Sequence, residues 1–113
     1  MRYEFDEIVF KSGRKNLIIV MEDEYRLVGQ FLMSDIQGTN PEAILKLIDK
    51  VENSESSYEE VNGNVCGVEL YKDKVIIFDN LSCEDNIKKC EISIEEFRNI
   101  IEIWYKKNKE YRN

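Results

Sequence analysis

Three cysteines, Cys66, Cys83 and Cys90, have the side chains best suited to chemistry, and the last two flank six residues in the stretch NLSCEDNIKKCE. Thiolates bind zinc, but zinc motifs place the two ligands of a pair about two to four residues apart. A redox pair usually has the Cys-x-x-Cys spacing, and the acidic neighbours Glu84 and Asp85 disfavour the reactive thiolate. We therefore predict no metal site and no disulfide, and we expect Cys66 and Cys90 to be small apolar residues on strand faces.

Other catalytic groups are sparse. The chain contains no histidine, so a serine or cysteine nucleophile lacks its usual base. Its five glycines do not form a phosphate-binding loop. Adjacent carboxylates at Glu22–Glu24 and Glu59–Glu60 fall at a wet turn tip or on opposite faces of a strand, so they lack the buried setting that a general acid needs. We predict that the protein is not an enzyme and holds no cofactor. Catalysis by carboxylates and tyrosines alone is the remaining enzymatic alternative.

The charge of the chain indicates what kind of partner it takes. Twenty-three acidic and sixteen basic residues give a net charge of −7, and such a field repels phosphate backbones and anionic lipid headgroups. No apolar run approaches the roughly 20 residues that span a bilayer, and the N-terminus MRYEFDE does not read as a secretory signal. We predict a cytoplasmic protein that contacts neither nucleic acid nor membrane directly and attracts a basic protein surface.

The first half of the chain is predicted to be mainly extended. Alternation over residues 3–10 changes parity near Asp6, which predicts a strand with a bulge. The β-branched run at residues 17–21 and the period-two pattern of residues 25–33 predict a hairpin with Glu22–Glu24 at its tip. A first helix then follows Pro41, capped by Thr39 or Asn40. Its apolar face consists of Ile44, Leu47, Ile48 and Val51.

The second half contains short strands and a closing helix. Strands are predicted at residues 57–61, 66–70, 75–78 and 88–92. Ser93 and Glu96 form a capping box, which marks the start of the last helix. The helix buries Phe97, Ile100, Ile101, Trp104 and Tyr105, which recur at helical spacing.

These elements predict one α+β domain spanning residues 1–113, with a mainly antiparallel sheet of six to seven strands. Two helices pack on one face of the sheet, so the other face stays open for a partner. We predict that acidic side chains and two tyrosine anchors bind this partner. The candidate partner-binding residues are Glu22, Asp23, Glu24, Tyr58, Glu59, Glu60, Tyr71, Asp79, Glu84 and Asp85.

Several segments carry a family resemblance. They are residues 1–5 (MRYEF), residues 28–31 (VGQF), residues 54–60 (SESSYEE) and residues 94–97 (IEEF) with Trp104. The chain resembles the small YacL-type α+β family and, in its compact acidic design, is similar to immunity proteins of bacterial contact-dependent growth inhibition.

The resemblance implies that the protein neutralises its own cell's polymorphic toxin, which in such systems is often a nuclease that acts on tRNA or DNA. Nucleases bind phosphates in basic clefts, and an acidic domain can cover such a cleft or a neighbouring surface. The alternative is a small adaptor or a homodimeric module that uses the open sheet face or a sheet edge.

Overall fold

The computed structural model describes residues 1–81 and 88–112, in which there are six β-strands and three α-helices. The strands are Tyr3–Val9 (β1), Lys15–Met21 (β2), Glu59–Asn62 (β3), Cys66–Leu70 (β4), Lys74–Asp79 (β5) and Lys89–Ser93 (β6). The helices are Arg26–Phe31 (α1), Glu42–Glu52 (α2) and Ile94–Arg112 (α3). A 3₁₀ turn at Asp23–Tyr25 leads into α1, and a π-helical segment at Leu32–Ile36 continues it.

The predicted α+β class is confirmed, but the predicted single sheet is wrong in detail. The described strands form a two-stranded sheet, β1-β2, and a separate four-stranded sheet in the order β3-β4-β5-β6. All neighbouring strands are antiparallel. Three α-helices are present in the described residues where two were predicted.

The predicted strand at residues 25–33 is helical, which is the largest error of the sequence analysis. Leu27, Val28, Phe31 and Leu32 are buried, and their spacing also suits one face of a helix. The segment contacts β2 on one side and β4, β5 and β6 on another, so it connects the two sheets. Gly29 makes the approach to β2 possible, because a Cβ atom added at this position would lie only 2.8 Å from the Cγ of Met21.

The first hairpin is regular, so the predicted bulge near Asp6 and Glu7 is wrong. Its pairing runs without interruption from Tyr3 opposite Met21 to Val9 opposite Lys15. The apolar residues of the first strand change from odd to even positions for another reason, because both faces of the hairpin carry apolar side chains. The inner face presents Phe5, Leu17 and Ile19, and the outer face presents Ile8, Val20 and the adjoining Phe10.

Helix α2 begins where it was predicted. The N-cap residue is Pro41, and the amide of Glu42, the first residue of the helix, donates to Oδ1 of Asn40 over 3.0 Å, so the Asn40 side chain satisfies an amide at the helix start. Its buried face contains Ile44, Ile48 and Val51, with Leu47 partly buried. The apolar periodicity of this segment therefore placed its core face correctly.

Helix α3 confirms the serine half of the predicted capping box, whereas the carboxylate of Glu96 contacts the hydroxyl of Ser93 and not its amide. The amide of Glu96 donates to Oγ of Ser93 over 3.1 Å, and the hydroxyl of Ser93 donates to Oε1 of Glu96 over 3.3 Å. Phe97, Ile100, Ile101 and Trp104 are buried as predicted, and Tyr105 is partly buried. The Trp104 indole N–H donates to the carbonyl of Gln37 over 2.7 Å, which joins α3 to the loop before α2.

One buried face of the four-stranded sheet forms the floor of the core. Alternate residues of β4, β5 and β6 point toward the helices, and they are Cys66, Val68, Leu70, Val75, Ile77, Cys90 and Ile92. The helices contact the sheet from this side, so its other side is left without a helical cover in the described residues. Within residues 1–81 and 88–112, no helix has the length and apolarity needed to cross a membrane.

A carboxylate joins the π-helical segment to the turn between β3 and β4. Asp35 accepts the amide of Val65 over 3.1 Å at Oδ1 and the amide of Cys66 over 2.9 Å at Oδ2. Gly63 lies against this carboxylate, and a Cβ there falls 2.5 Å from Oδ1 of Asp35. The turn therefore needs both the carboxylate of Asp35 and a glycine at position 63.

Candidate functional site

The outward side of the four-stranded sheet, which we call the open face, is the candidate site. Residues opposed in antiparallel strands point to the same side, so the strand register defines its members. They are Glu60, Asn62, Gly67, Glu69, Lys74, Ile76, Phe78, Lys89, Glu91 and Ser93. Ile76 and Phe78 are only partly buried at its centre.

Four side chains at the β3–β4 end of the open face form a hydrogen-bonded cluster, the tyrosine–glutamate cluster, which consists of Tyr58, Glu60, Glu69 and Tyr71. The hydroxyl of Tyr58 lies 2.8 Å from Oε2 of Glu60, to which it donates, and 3.4 Å from Oε2 of Glu69. The hydroxyl of Tyr71 donates to Oε1 of Glu69 over 3.1 Å. The two rings are tilted, with centroids 5.3 Å apart. The rings and the carboxylates therefore form one connected surface.

The two carboxylates of the cluster oppose each other directly in the register of β3 and β4. Like charges in this position destabilise a strand pair. None of the ion pairs formed among the described residues includes Glu60 or Glu69. No salt bridge within the described part of the chain therefore neutralises these two charges, although the ammonium of Lys74 lies 5.5 Å from the centroid of the Tyr71 ring.

The tyrosines of the cluster are held in their protonated form. The hydrogen bond to Glu60 is the main reason that the pKa of Tyr58 is raised above its ordinary value. Burial, and then the hydrogen bond to Glu69, raise the pKa of Tyr71. A tyrosine hydroxyl is protonated at neutral pH in any case, and the raised pKa keeps both hydroxyls as donors further into alkaline solution.

The β5–β6 end of the open face has a different charge. Lys74 lies 3.9 Å from Oε1 of Glu91, and its ammonium is 5.5 Å from the centroid of the Tyr71 ring. Lys89 is opposite Phe78 in the register. The open-face carboxylates without a salt bridge among the described residues are thus Glu60 and Glu69, at the β3–β4 end.

The cysteines described by the structure are packing residues. Cys66 and Cys90 are free and buried, as predicted. Burial, and then the charges of Asp35 and Asp79, raise the pKa of Cys66 to about 12. Burial, and then Glu24, raise the pKa of Cys90 to about 11. No group of three metal-ligating side chains occurs among the residues that the structure describes, and Cys83 lies outside them.

The structure brings together three of the predicted partner-binding residues, namely Tyr58, Glu60 and Tyr71. Glu59 has the opposite strand parity and is half-buried on the core side of β3. Asp79 lies at the end of β5 on that same side, where Oδ1 accepts the amide of Leu81 over 2.9 Å.

The acidic segment Glu22–Glu24 belongs to a different part of the surface. It is not a hairpin tip, because the chain enters the 3₁₀ turn and α1 directly after β2. Glu22 accepts the amide of Arg2 over 2.8 Å, and Asp23 lies 3.8 Å from the guanidinium of Arg26. Glu84 and Asp85 lie outside the described residues.

Sequence analysis missed Glu69 and the apolar centre of the open face. The alternation of β4 already placed Glu69 on the side opposite Cys66 and Val68. Its position across from Glu60 depends on the register of the hairpin, which the turn at residues 63–65 sets. Glu69 could therefore have been found by pairing the two predicted strands and asking which glutamates alternate with their apolar core residues.

Comparison with known proteins gives one informative relative. A curated protein of Bacillus cereus named "Immunity protein" is 33% identical over 112 residues, which are 99% of this chain and 93% of that protein. No protein-family model matches the chain, and no solved structure gives a significant match. Since the similarity extends over nearly the whole of both chains, the chain belongs to the family of this immunity protein.

Proposed function

We propose that the protein neutralises a cognate toxin by binding it, and that the toxin is a nuclease that acts on tRNA or DNA. The observation that carries the proposal is the end-to-end similarity to a protein named as an immunity protein. The net charge of −7 supports a partner with a basic surface, which nucleases need for phosphate binding. Neutralisation by binding requires no catalytic group in the inhibitor, and it takes place in the cytoplasm, where the nucleic acid lies.

The contact-dependent growth inhibition setting and the YacL-type likeness stay predictions. Both concern the system in which the protein works, and neither is needed for inhibition by binding. The open face and its tyrosine–glutamate cluster supply an acidic and aromatic surface of the kind that such an inhibitor uses.

The test uses the toxin domain encoded beside the gene. Cells that express this toxin should grow only when the protein is co-expressed. Purified protein should abolish cleavage of tRNA or DNA at a one-to-one ratio, and its association rate should fall steeply as salt rises. Growth arrest that co-expression does not relieve would rule out the proposal.

A second candidate function, a homodimeric or adaptor module, is favoured by the outer face of the β1–β2 hairpin. Ile8, Phe10 and Val20 are 45%, 43% and 44% exposed there, which makes an apolar surface patch. Self-association through this patch predicts a mass that rises with concentration in sedimentation equilibrium. An Ile8→Ser/Phe10→Ser variant should then remain monomeric, whereas a wild-type protein that stays monomeric at high concentration contradicts this candidate.

A further inference from the structure

We infer that the open face is the surface that the toxin covers, and that a basic side chain of the toxin, most suitably an arginine, binds the carboxylates of Glu60 and Glu69. The inference rests on the proposed function and adds the place and chemistry of contact. Its occupant is a protein with a basic surface, and three features of the open face point to it.

The first feature is a pair of carboxylates that no salt bridge among the described residues neutralises. Glu60 and Glu69 are opposed across β3 and β4, and no described lysine or arginine pairs with them. A cation supplied by the toxin removes this repulsion, so the free energy of binding includes the relief of the repulsion between the two carboxylates. Charge complementarity therefore selects a basic partner for this end of the sheet.

The second feature is the geometry of the acceptors. The Tyr58 hydroxyl lies 2.8 Å from Oε2 of Glu60 and 3.4 Å from Oε2 of Glu69, and the Tyr71 hydroxyl lies 3.1 Å from Oε1 of Glu69. A carboxylate has acceptor capacity for about four hydrogen bonds, so sites remain for an incoming donor. A guanidinium presents five N–H donors in a planar fork and also stacks on aromatic rings. Tyr58 and Tyr71 provide such rings beside the carboxylates.

The third feature is the apolar centre of the open face. Ile76 lies next to Glu69 in the register and Phe78 follows on the same strand side, both partly exposed. A protein that covers them excludes water from the neighbouring carboxylates, and a charged hydrogen bond is stronger in that setting. Apolar and aromatic anchors beside charged groups are typical of the energetic centre of an interface.

The experiment compares two double variants with the same change in net charge. Glu60→Gln/Glu69→Gln removes both charges of the cluster, and Glu102→Gln/Glu110→Gln removes two charges from the exposed surface of α3. The affinity of each variant for the toxin domain encoded beside the gene is measured by calorimetry, together with its thermal unfolding. We expect the cluster variant to bind at least about thirtyfold more weakly. The α3 variant should differ from wild type by less than about threefold, through long-range charge alone.

Ile76→Lys gives a second readout, because it places a cation and a longer side chain at the centre of the open face. It should abolish inhibition of the toxin while the protein stays folded. If the cluster variant and Ile76→Lys both inhibit like wild type, the toxin binds elsewhere and this inference is wrong, although the proposed function stands. Loss of inhibition only in Ile8→Ser/Phe10→Ser would assign the contact to the hairpin and also overturn it. A wild-type protein that fails to bind the toxin overturns both proposals.

Discussion

The contact between Gly63 and Asp35 leads to a quantitative prediction for Gly63→Ala. The new methyl group falls 2.5 Å from Oδ1 and 2.8 Å from Oδ2 of Asp35, closer than real Cβ atoms come to other atoms. The carboxylate cannot simply rotate away, because it accepts the amides of Val65 and Cys66. The substitution should therefore displace it and leave two amides without their partner.

The expected cost follows from these two hydrogen bonds. A partly buried amide that loses a charged acceptor costs about 1–2 kcal/mol, so Gly63→Ala should lower the free energy of unfolding by about 2–4 kcal/mol. For a domain of this length the loss corresponds to a fall in melting temperature of about 8–16 °C. Asp35→Ala removes the same two bonds and should cost a similar amount. In the double variant the methyl group no longer meets a carboxylate, so the cost should not exceed that of Asp35→Ala by more than about 0.5 kcal/mol.

Urea unfolding followed by the fluorescence of Trp104 measures all four proteins, since this buried residue is the single tryptophan. Gly67→Ala is the matched control. Its methyl group meets Oδ1 of the exposed Asn80 at 3.1 Å, and moving this side chain disturbs only its long hydrogen bond, 3.3 Å, to the carbonyl of Gly63, so the control should change stability by less than about 1 kcal/mol. Additive costs of Gly63→Ala and Asp35→Ala would contradict this prediction, because they would show that the methyl group and the carboxylate do not compete for the same space.

Three further predictions concern the core and the helices. Between pH 8 and pH 10 the free energy of unfolding should fall by about 1.4 kcal/mol for each of Cys66 and Cys90, because an unfolded thiol ionises near its ordinary pKa of 9.0 while burial raises the folded values to about 12 and about 11. In Cys66→Ala the fall in the free energy of unfolding between pH 8 and pH 10, measured by urea titration, should be smaller by about 1.4 kcal/mol. An unchanged fall would show that the Cys66 thiol does not cause it. Arg98→Met should lower the free energy of unfolding by about 1–3 kcal/mol, because the Arg98 guanidinium donates to two carboxylates of α2 over 2.5 and 2.6 Å. A loss of stability that is as large in high salt as in low salt would argue against an ionic cause. Ser93→Ala should cost about 1 kcal/mol by removing the cap of α3, and Ser93→Asp, measured in the same way, should recover most of it.

The last helix and the β4–β5 hairpin could be predicted from the sequence because their signals are local. The Ser93 hydroxyl accepts the amide of Glu96 at the helix start, which depends on neighbouring residues alone, and the spacing from Phe97 to Trp104 fits one face of a helix. The alternation of Cys66, Val68 and Leu70 likewise has one core face. The outward positions of Tyr58 and Tyr71 follow from the same pattern.

The segment from Tyr25 to Met33 shows why a local signal can fail. Its apolar residues fit a strand with period two and also a helix, since Leu27, Val28 and Phe31 share one helical face. Packing decided between the two, because a helix at this point fills the space between the hairpin and the four-stranded sheet. The missing side chain of Gly29 lets that helix approach β2 closely enough.

Local patterns were enough to predict the α+β class, the acidic charge and the burial of two thiols. They left open which of Glu59 and Glu60 faces outward and which acidic residues meet. Tertiary packing places Glu60 opposite Glu69 and beside two tyrosines, and it leaves Glu22–Glu24 on another part of the surface. Alternation and capping act within a few residues, whereas strand register joins residues that are distant in the chain.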